Sequence, residues 1–300
     1  MNVHDTQTQK VMSPETQSGK GPGDENFPVG SWLLPAHLRP HVSRFYAFAR
    51  AIDDIADNSN LEAGDKIERL NAMEAALNGE PGYASGFDKC HALRESLEAT
   101  SVTRRHACDL VAAFRQDAVK LRYKDWQELL GYCELSANPV GRYLLDLHGE
   151  DTSGYVYSDA LCTVLQILNH LQDCGDDYQN LDRVYLSTDW MDEEGVSVTD
   201  LANDNLNDGM RAIIDRTLEG VRDLLPQADL LPAALTSRHL AMESAVIVRL
   251  AHRLEQRLEV GDPLAKRVAV SRLDFARAGI AGAIGGYFSA GSALPKDQLA

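Results

Sequence analysis

The stretch Leu165-Gln166-Ile167-Leu168-Asn169-His170-Leu171-Gln172-Asp173-Cys174-Gly175-Asp176-Asp177 decides how this chain is read. Its apolar residues recur at helical spacing inside a longer periodic run, which predicts a helix over 156–181. A helix turns about 100° per residue, so Asp173 and Asp177 stack one turn apart, and Asn169, Gln166 and Cys162 continue the line. Val164, Ile167, Leu168 and Leu171 take the opposite side. The polar line carries amides and a thiol where a solvated face usually offers Lys, Arg and Glu, which points to a surface that meets a ligand. Past the helix end, Arg183 and Tyr185 could reach a diphosphate held at the acids.

The run Phe45-Tyr46-Ala47-Phe48-Ala49-Arg50-Ala51-Ile52-Asp53-Asp54-Ile55-Ala56-Asp57 repeats the arrangement. Asp53 and Asp57 share a stripe with Arg50, Ala49, Tyr46 and Val42, beside a core-facing side of Phe45, Phe48, Ile52 and Ile55. Asp54 is expected to point away from the core. Two carboxylates one turn apart repel each other by a few tenths of a kcal/mol even when exposed. A bound cation removes that repulsion, and magnesium suits it: Mg²⁺ takes one or two carboxylates, keeps several waters and shares the rest of its shell with phosphate oxygens. Either pair alone is also what the solvated face of an acidic protein looks like. Two such pairs, each with a nearby arginine, favour a diphosphate held through metal, because carboxylates and a diphosphate cannot share one cavity without cations between them.

With 300 residues, 44% hydrophobic and 25% charged, the composition is that of an ordinary globular protein. A formal charge of −16 argues against nucleic acid as a partner, and by the same reasoning against an anionic lipid surface. The five cysteines are scattered and never spaced as CxxC, which suggests neither a disulfide framework nor a zinc site and fits a reducing cytoplasm. No apolar segment follows the first residues, so no secretory signal is expected, and the weakly charged stretch 278–293 is too short and too rich in Gly, Ala and Ser to span a bilayer.

Residues 1–23 and 291–300 read as polar tails around one all-α domain over 24–290. Helices are predicted over 37–58, 61–78, 88–99, 103–121, 125–148, 156–181, 199–225, 230–258 and 264–289, with no convincing strand. Ser158 or one of its neighbours is the expected cap of the helix over 156–181, and Thr103 precedes the one that runs through Leu110 and Phe114. Trp126, Trp190 and the glycines Gly279, Gly282, Gly285 and Gly286 read as packing positions, and Asp189 to Glu194 as a solvated loop.

Together with Tyr132-Cys-Glu-Leu-Ser-Ala-Asn138-Pro-Val-Gly141 and Arg183-Val-Tyr185-Leu186, the two aspartate stretches resemble the squalene and phytoene synthase family over about residues 24–290. The resemblance implies a single-domain isoprenoid synthase fold whose acid clusters face each other across an apolar cavity. It implies Mg²⁺ at Asp53, Asp57, Asp173 and Asp177, with Tyr46, Arg50, Tyr132 and Arg183 near the diphosphate and Gln166 and Asn169 lining the cavity. His170 falls off that line and reads as a packing residue.

Where typical members carry a Ser-rich basic stretch, this chain has Glu25-Asn26-Phe27-Pro28. In that it resembles the branch of the bacterial hopanoid pathway that takes presqualene diphosphate and water to hydroxysqualene and diphosphate. Capture by water then draws on Tyr132, Asn138, Gln166 or Asn169, with no one of them singled out. That branch implies hand-off from a presqualene diphosphate synthase and to a hydroxysqualene reductase, with the protein cytoplasmic or peripheral to the inner membrane. The alternatives are a synthase condensing two farnesyl diphosphates head to head, and a non-catalytic assembly factor of the same fold.

Overall fold

The computed structural model describes residues 33–292. The stretch Glu25 to Pro28 and most of both expected tails therefore lie outside the described residues. The helices are α1 (Arg39–Ala56), α2 (Ala63–Asn78), α3 (Asp88–Thr100), α4 (Arg105–Asp117), α5 (Trp126–Ser136), α6 (Asn138–Leu147) and α7 (Tyr155–Leu181). After them come α8 (Thr188–Glu194), α9 (Asp208–Ala228), α10 (Leu231–Ala234), α11 (Arg238–Val260) and α12 (Arg272–Ser289).

The architecture is all-α, built around α7. At 27 residues α7 is about 40 Å long, and α5, α6, α9 and α11 pack around it. Such a helix can bury residues on most of its circumference, and Thr163, Ile167, Leu168, His170, Leu171 and Cys174 are all buried. One continuous set of buried side chains runs from Leu34 to Val268.

Several expected boundaries move, each for a local reason. The helix expected over 125–148 breaks at Ala137 because Pro139 has no N–H to give the preceding turn, so α6 starts anew at Asn138. Ser158 is not a cap but a buried residue one turn inside α7, which starts after a short turn capped by Asp151. Thr103 does meet the start of its helix, its Oγ1 accepting from Arg105 N at 3.2 Å. The long runs expected over 199–225 and 230–258 resolve into α9 and the pair α10 and α11, and α12 starts at Arg272 rather than at 264, on a Ser271–Asp274 capping box.

Two short strands escaped the sequence reading, β1 (Arg122–Tyr123) and β2 (Val184–Ser187), which pair in parallel. The acidic stretch after β2 is α8 rather than a loop, capped by Ser187 at one end and by Gly195 in the left-handed region at the other. Trp126 and Trp190 stack on each other with ring centroids 6.1 Å apart, and Gly220 of α9 leaves room for Trp126. Of the four glycines in α12, Gly282 and Gly286 lie flush against α11. A Cβ on either would sit within 3 Å of α11 backbone, whereas Gly279 has open space around it and Gly285 meets only the end of Arg249 at 3.8 Å.

Candidate active site

α1 and α7 both line an apolar cavity with their N-terminal halves and carry their acids beyond it. Val42, Phe45, Tyr46 and Ala49 of α1 face Leu161, Cys162 and Leu165 of α7 across about 330 Å³, with α6, α10 and α11 closing the remaining walls. Arg50 and Asp53 follow Ala49 within one turn, and Gln166, Asn169 and Asp173 follow Leu165 along α7. The close approach of α6 to α7 depends on Gly141, where a Cβ would collide with Ser158 Oγ and Cys162 Sγ.

In the first cluster, Arg50 folds along its own helix. Its Nη1 donates to Asp53 Oδ2 at 2.8 Å, and its Nε lies 3.3 Å from Asp54 Oδ1. The expectation for Asp54 is corrected: its side chain is 9% exposed against 26% for Asp53. With α2, α3 and α4 packed around α1, the side away from the acid stripe is not open solvent. Asp57 sits just past the last turn, its N–H donating to the Asp53 carbonyl at 2.9 Å.

Asp182 ends α7 in the left-handed region at φ 52°, which an Asp tolerates better than most residues. The reversal brings Arg183 back toward α1. Its Nη1 donates to Asp57 Oδ1 at 2.5 Å and its Nη2 to the Ala56 carbonyl at 2.8 Å, with the side chain buried. One guanidinium thus ties the end of α7 to the end of α1.

The acids perturb one another across the gap. Asp177 is pushed up to about 7 by burial, then by the charges of Asp173 and Asp57, against the pull of Arg183. Asp53 is held well above the usual carboxylate range by burial and by Asp57, against Arg50. Arg183, six residues past Asp177 and bonded to Asp57 and to the Ala56 carbonyl, brings the ends of α1 and α7 together, and with them the two clusters.

Behind them lies a group that the sequence reading missed. Asp117, at the end of α4, is buried and accepts from Tyr132 Oη at 2.6 Å and Tyr185 Oη at 3.0 Å. Burial pushes it up to about 6, while Arg183 and the two tyrosines hold it lower than burial alone would. His170 stacks on Tyr185 at 3.7 Å between centroids and lies 3.0 Å from Gln166 Nε2. Burial, and next Arg183, push His170 down to about 3, so the ring is neutral.

Arg267, in the segment between α11 and α12, pairs with Asp173 and was also missed, since nothing in its local sequence marks it. So was Glu243 of α11, which lines the apolar cavity, is buried, and has an Oε2 without a hydrogen-bond partner among the described residues. Burial pushes it up to about 7.

The structure thus gathers Arg50, Asp53, Asp57, Asp177, Arg183, Tyr132 and Tyr185, with Asp173 on the α7 side and Tyr46 in the cavity wall. Asn138, at the start of α6, is buried and accepts from Thr163 Oγ1 of α7 at 3.0 Å. Among the described residues no three His, Cys, Asp or Glu side chains converge on one point. Paired hard oxygens whose charges oppose each other still fit Mg²⁺, which leaves most of its shell to water and phosphate oxygens.

The family model for squalene/phytoene synthase matches residues 21–274. Hydroxysqualene synthase of Rhodopseudomonas palustris is 41% identical over 265 residues, covering 88% of this chain and 90% of that protein. The hydroxysqualene synthase of Zymomonas mobilis is 38% identical over 282 residues, covering 93% and 94%. Among solved structures, squalene synthase HpnC from Alicyclobacillus acidocaldarius superposes with a TM-score of 0.67 at 29% identity, covering 78% of this chain and 88% of that one. A dehydrosqualene synthase in complex with ligand reaches a TM-score of 0.70 at 21% identity, covering 86% and 90%, and shares the fold. With facing acid pairs at one end of an apolar cavity, and likenesses that run through nearly its whole length, the chain belongs to the squalene/phytoene synthase family.

Proposed function

We propose that this protein is a magnesium-dependent carbon–oxygen lyase that converts presqualene diphosphate and water to hydroxysqualene and diphosphate in squalene and hopanoid biosynthesis. The observation that carries the reading is the meeting of two acid clusters at the same end of a cavity that α1 and α7 both line. Extensive relatives named hydroxysqualene synthase support the choice of reaction within the family.

Asp53, Asp57, Asp173 and Asp177 would hold Mg²⁺, which when bound supplies positive charge to a departing diphosphate. Arg50 and Arg183 add fixed positive charge at the same place. Their present carboxylate partners orient them before substrate arrives, so little reorganisation accompanies cleavage. The C–O bond breaks with its electron pair leaving on diphosphate. The cation left behind meets a wall in which Phe45, Ala49, Leu161 and Leu165 offer no nucleophile, and in which burial favours the protonated, weakly nucleophilic forms of Cys162 and Glu243.

Water then forms the new C–O bond and gives up a proton, for which the released diphosphate is the base that the reaction itself supplies. Tyr132, Asn138, Gln166 and Asn169 are the residues we assign to placing that water, and Tyr46, Tyr132 and Tyr185 are assigned to substrate contact. Neutral His170 accepts from Gln166 and so fixes which way that amide points. We assign hand-off from a presqualene diphosphate synthase and to a hydroxysqualene reductase, on the resemblance to the hopanoid branch. No helix of the described residues is long and apolar enough to cross a membrane. On the resemblance to the hopanoid branch, we assign the protein to the cytoplasm or to the periphery of the inner membrane.

Asp53→Ala and Asp173→Ala test the metal assignment. Each is expected to lower diphosphate release from presqualene diphosphate by about 10²-fold or more while helical circular dichroism stays unchanged. Wild-type turnover in either variant would remove these acids from the reaction.

A further inference from the structure

A surface helix normally buries one face and wets the other. α12 departs from this. Its buried side, with Asp274, Ala278, Gly282 and Gly286, lies on α11. The opposite side carries Leu273, Ile280, Ile284, Tyr287 and Phe288, all exposed, with Ile280 68% and Phe288 77% open. At 1.5 Å per residue this apolar stripe is about 22 Å long. Five exposed apolar side chains on one face, broken only by Arg277 between Leu273 and Ile280, mark an interaction site rather than ordinary scatter.

The charges around the stripe identify its occupant. The whole chain is strongly acidic, yet the exposed charges of α12 are Arg272 and Arg277. Its one acid, Asp274, is buried and bonded to Arg253 at 3.0 Å and Arg257 at 2.6 Å. Arg238 of α11 lies over the Tyr287 ring and donates to its hydroxyl at 3.1 Å, adding a cation at the stripe's end. In a symmetric pairing of two copies through this stripe, Arg272 and Arg277 of each copy would face the same arginines of the other. A phospholipid surface offers acyl chains to the stripe and phosphates to the arginines, which bind phosphate oxygens well.

We propose that α12 is a membrane-docking helix that lies in the plane of a phospholipid surface, its apolar stripe among the acyl chains and its arginines at the lipid phosphates. The net charge of −16, which argued against an anionic surface for the molecule as a whole, does not describe this face. α11 lies directly beneath α12 and lends Leu240, Glu243, Ser244 and Ile247 to the cavity wall, so docking sets the cavity one helix away from the lipid. That purpose rests on the proposed apolar substrate. The docking itself does not.

Flotation of the full chain with vesicles of phosphatidylethanolamine and phosphatidylglycerol tests it, without substrate, so the outcome is separable from the catalytic reading. Wild type is expected to float with the vesicles. The double variant Ile280→Glu/Ile284→Glu is expected to lose about tenfold or more of that binding, with diphosphate release from detergent-dispersed presqualene diphosphate unchanged. Arg272→Gln/Arg277→Gln is expected to weaken binding severalfold and flatten its salt dependence. Wild type that stays with the unbound fraction, or binding that both double variants retain in full, would overturn the proposal. So would self-association in sedimentation velocity that the glutamate variant abolishes while vesicle binding is absent.

Discussion

At Glu243 an ionisable group sits in the wall of an apolar cavity with no neighbouring charge among the described residues to relieve it. Burial raises its folded-state pKa from the usual glutamate value of 4.5 to about 7, so the folded protein keeps a proton that the unfolded chain gives up. The stability associated with that proton is fully present below the unfolded value and is lost as pH rises through about 7. Glu243→Leu removes the loss. Thermal unfolding should show a variant Tm that pulls further above wild type between acidic and mildly alkaline pH, and a gap independent of pH would contradict the burial argument. The residues found from sequence and those missed divide by locality. Asp53, Asp57, Asp173 and Asp177 declare themselves by helical spacing within one turn. Asp117 gains its meaning from Tyr132 and Tyr185, which are 15 and 68 positions away, and Arg267 meets Asp173 across 94 positions. Neither has a local pattern.

Among the elements, the long helices were legible because an apolar stripe repeated over many turns leaves little freedom of reading. Strands of two and four residues are too short for an alternating pattern to emerge, and β2 is buried along its length, which erases alternation altogether. The break between α5 and α6 had its signal in Pro139, but the flanking periodicity ran across it. In α12 the four glycines look alike in sequence and differ in structure. A Cβ at Gly286 would lie 2.4 Å from the Ala241 carbonyl, so Gly286→Ala should push α12 off α11 and cost about 1–3 kcal/mol. Gly279→Ala fills open space on a helix and should stabilise by roughly 0.5–1 kcal/mol. Chemical denaturation of the two variants checks the pair. Equal effects would mean that α12 does not sit as close to α11 as described.

The whole molecule is organised along the axes of α1 and α7, which point the same way, with the apolar cavity toward one end and carboxylates and arginines toward the other. That polarity is what separation of charge from a reactive cation demands: the anion stays with the cations and the hydrocarbon stays dry. Because two helices far apart in sequence must face each other across the cavity to produce it, periodicity shows each half and only the fold shows them facing. The choice among reactions of the family is a finer matter. It depends on how the cation is captured and on whether a second allylic diphosphate is accepted. The most direct measurement is mass-spectrometric product analysis after incubating the purified protein with Mg²⁺ and either presqualene diphosphate or farnesyl diphosphate. Hydroxysqualene, formed with one equivalent of diphosphate from presqualene diphosphate and not from farnesyl diphosphate, is the expected result. Squalene or dehydrosqualene as the main product, or any thirty-carbon product from farnesyl diphosphate alone, would contradict it.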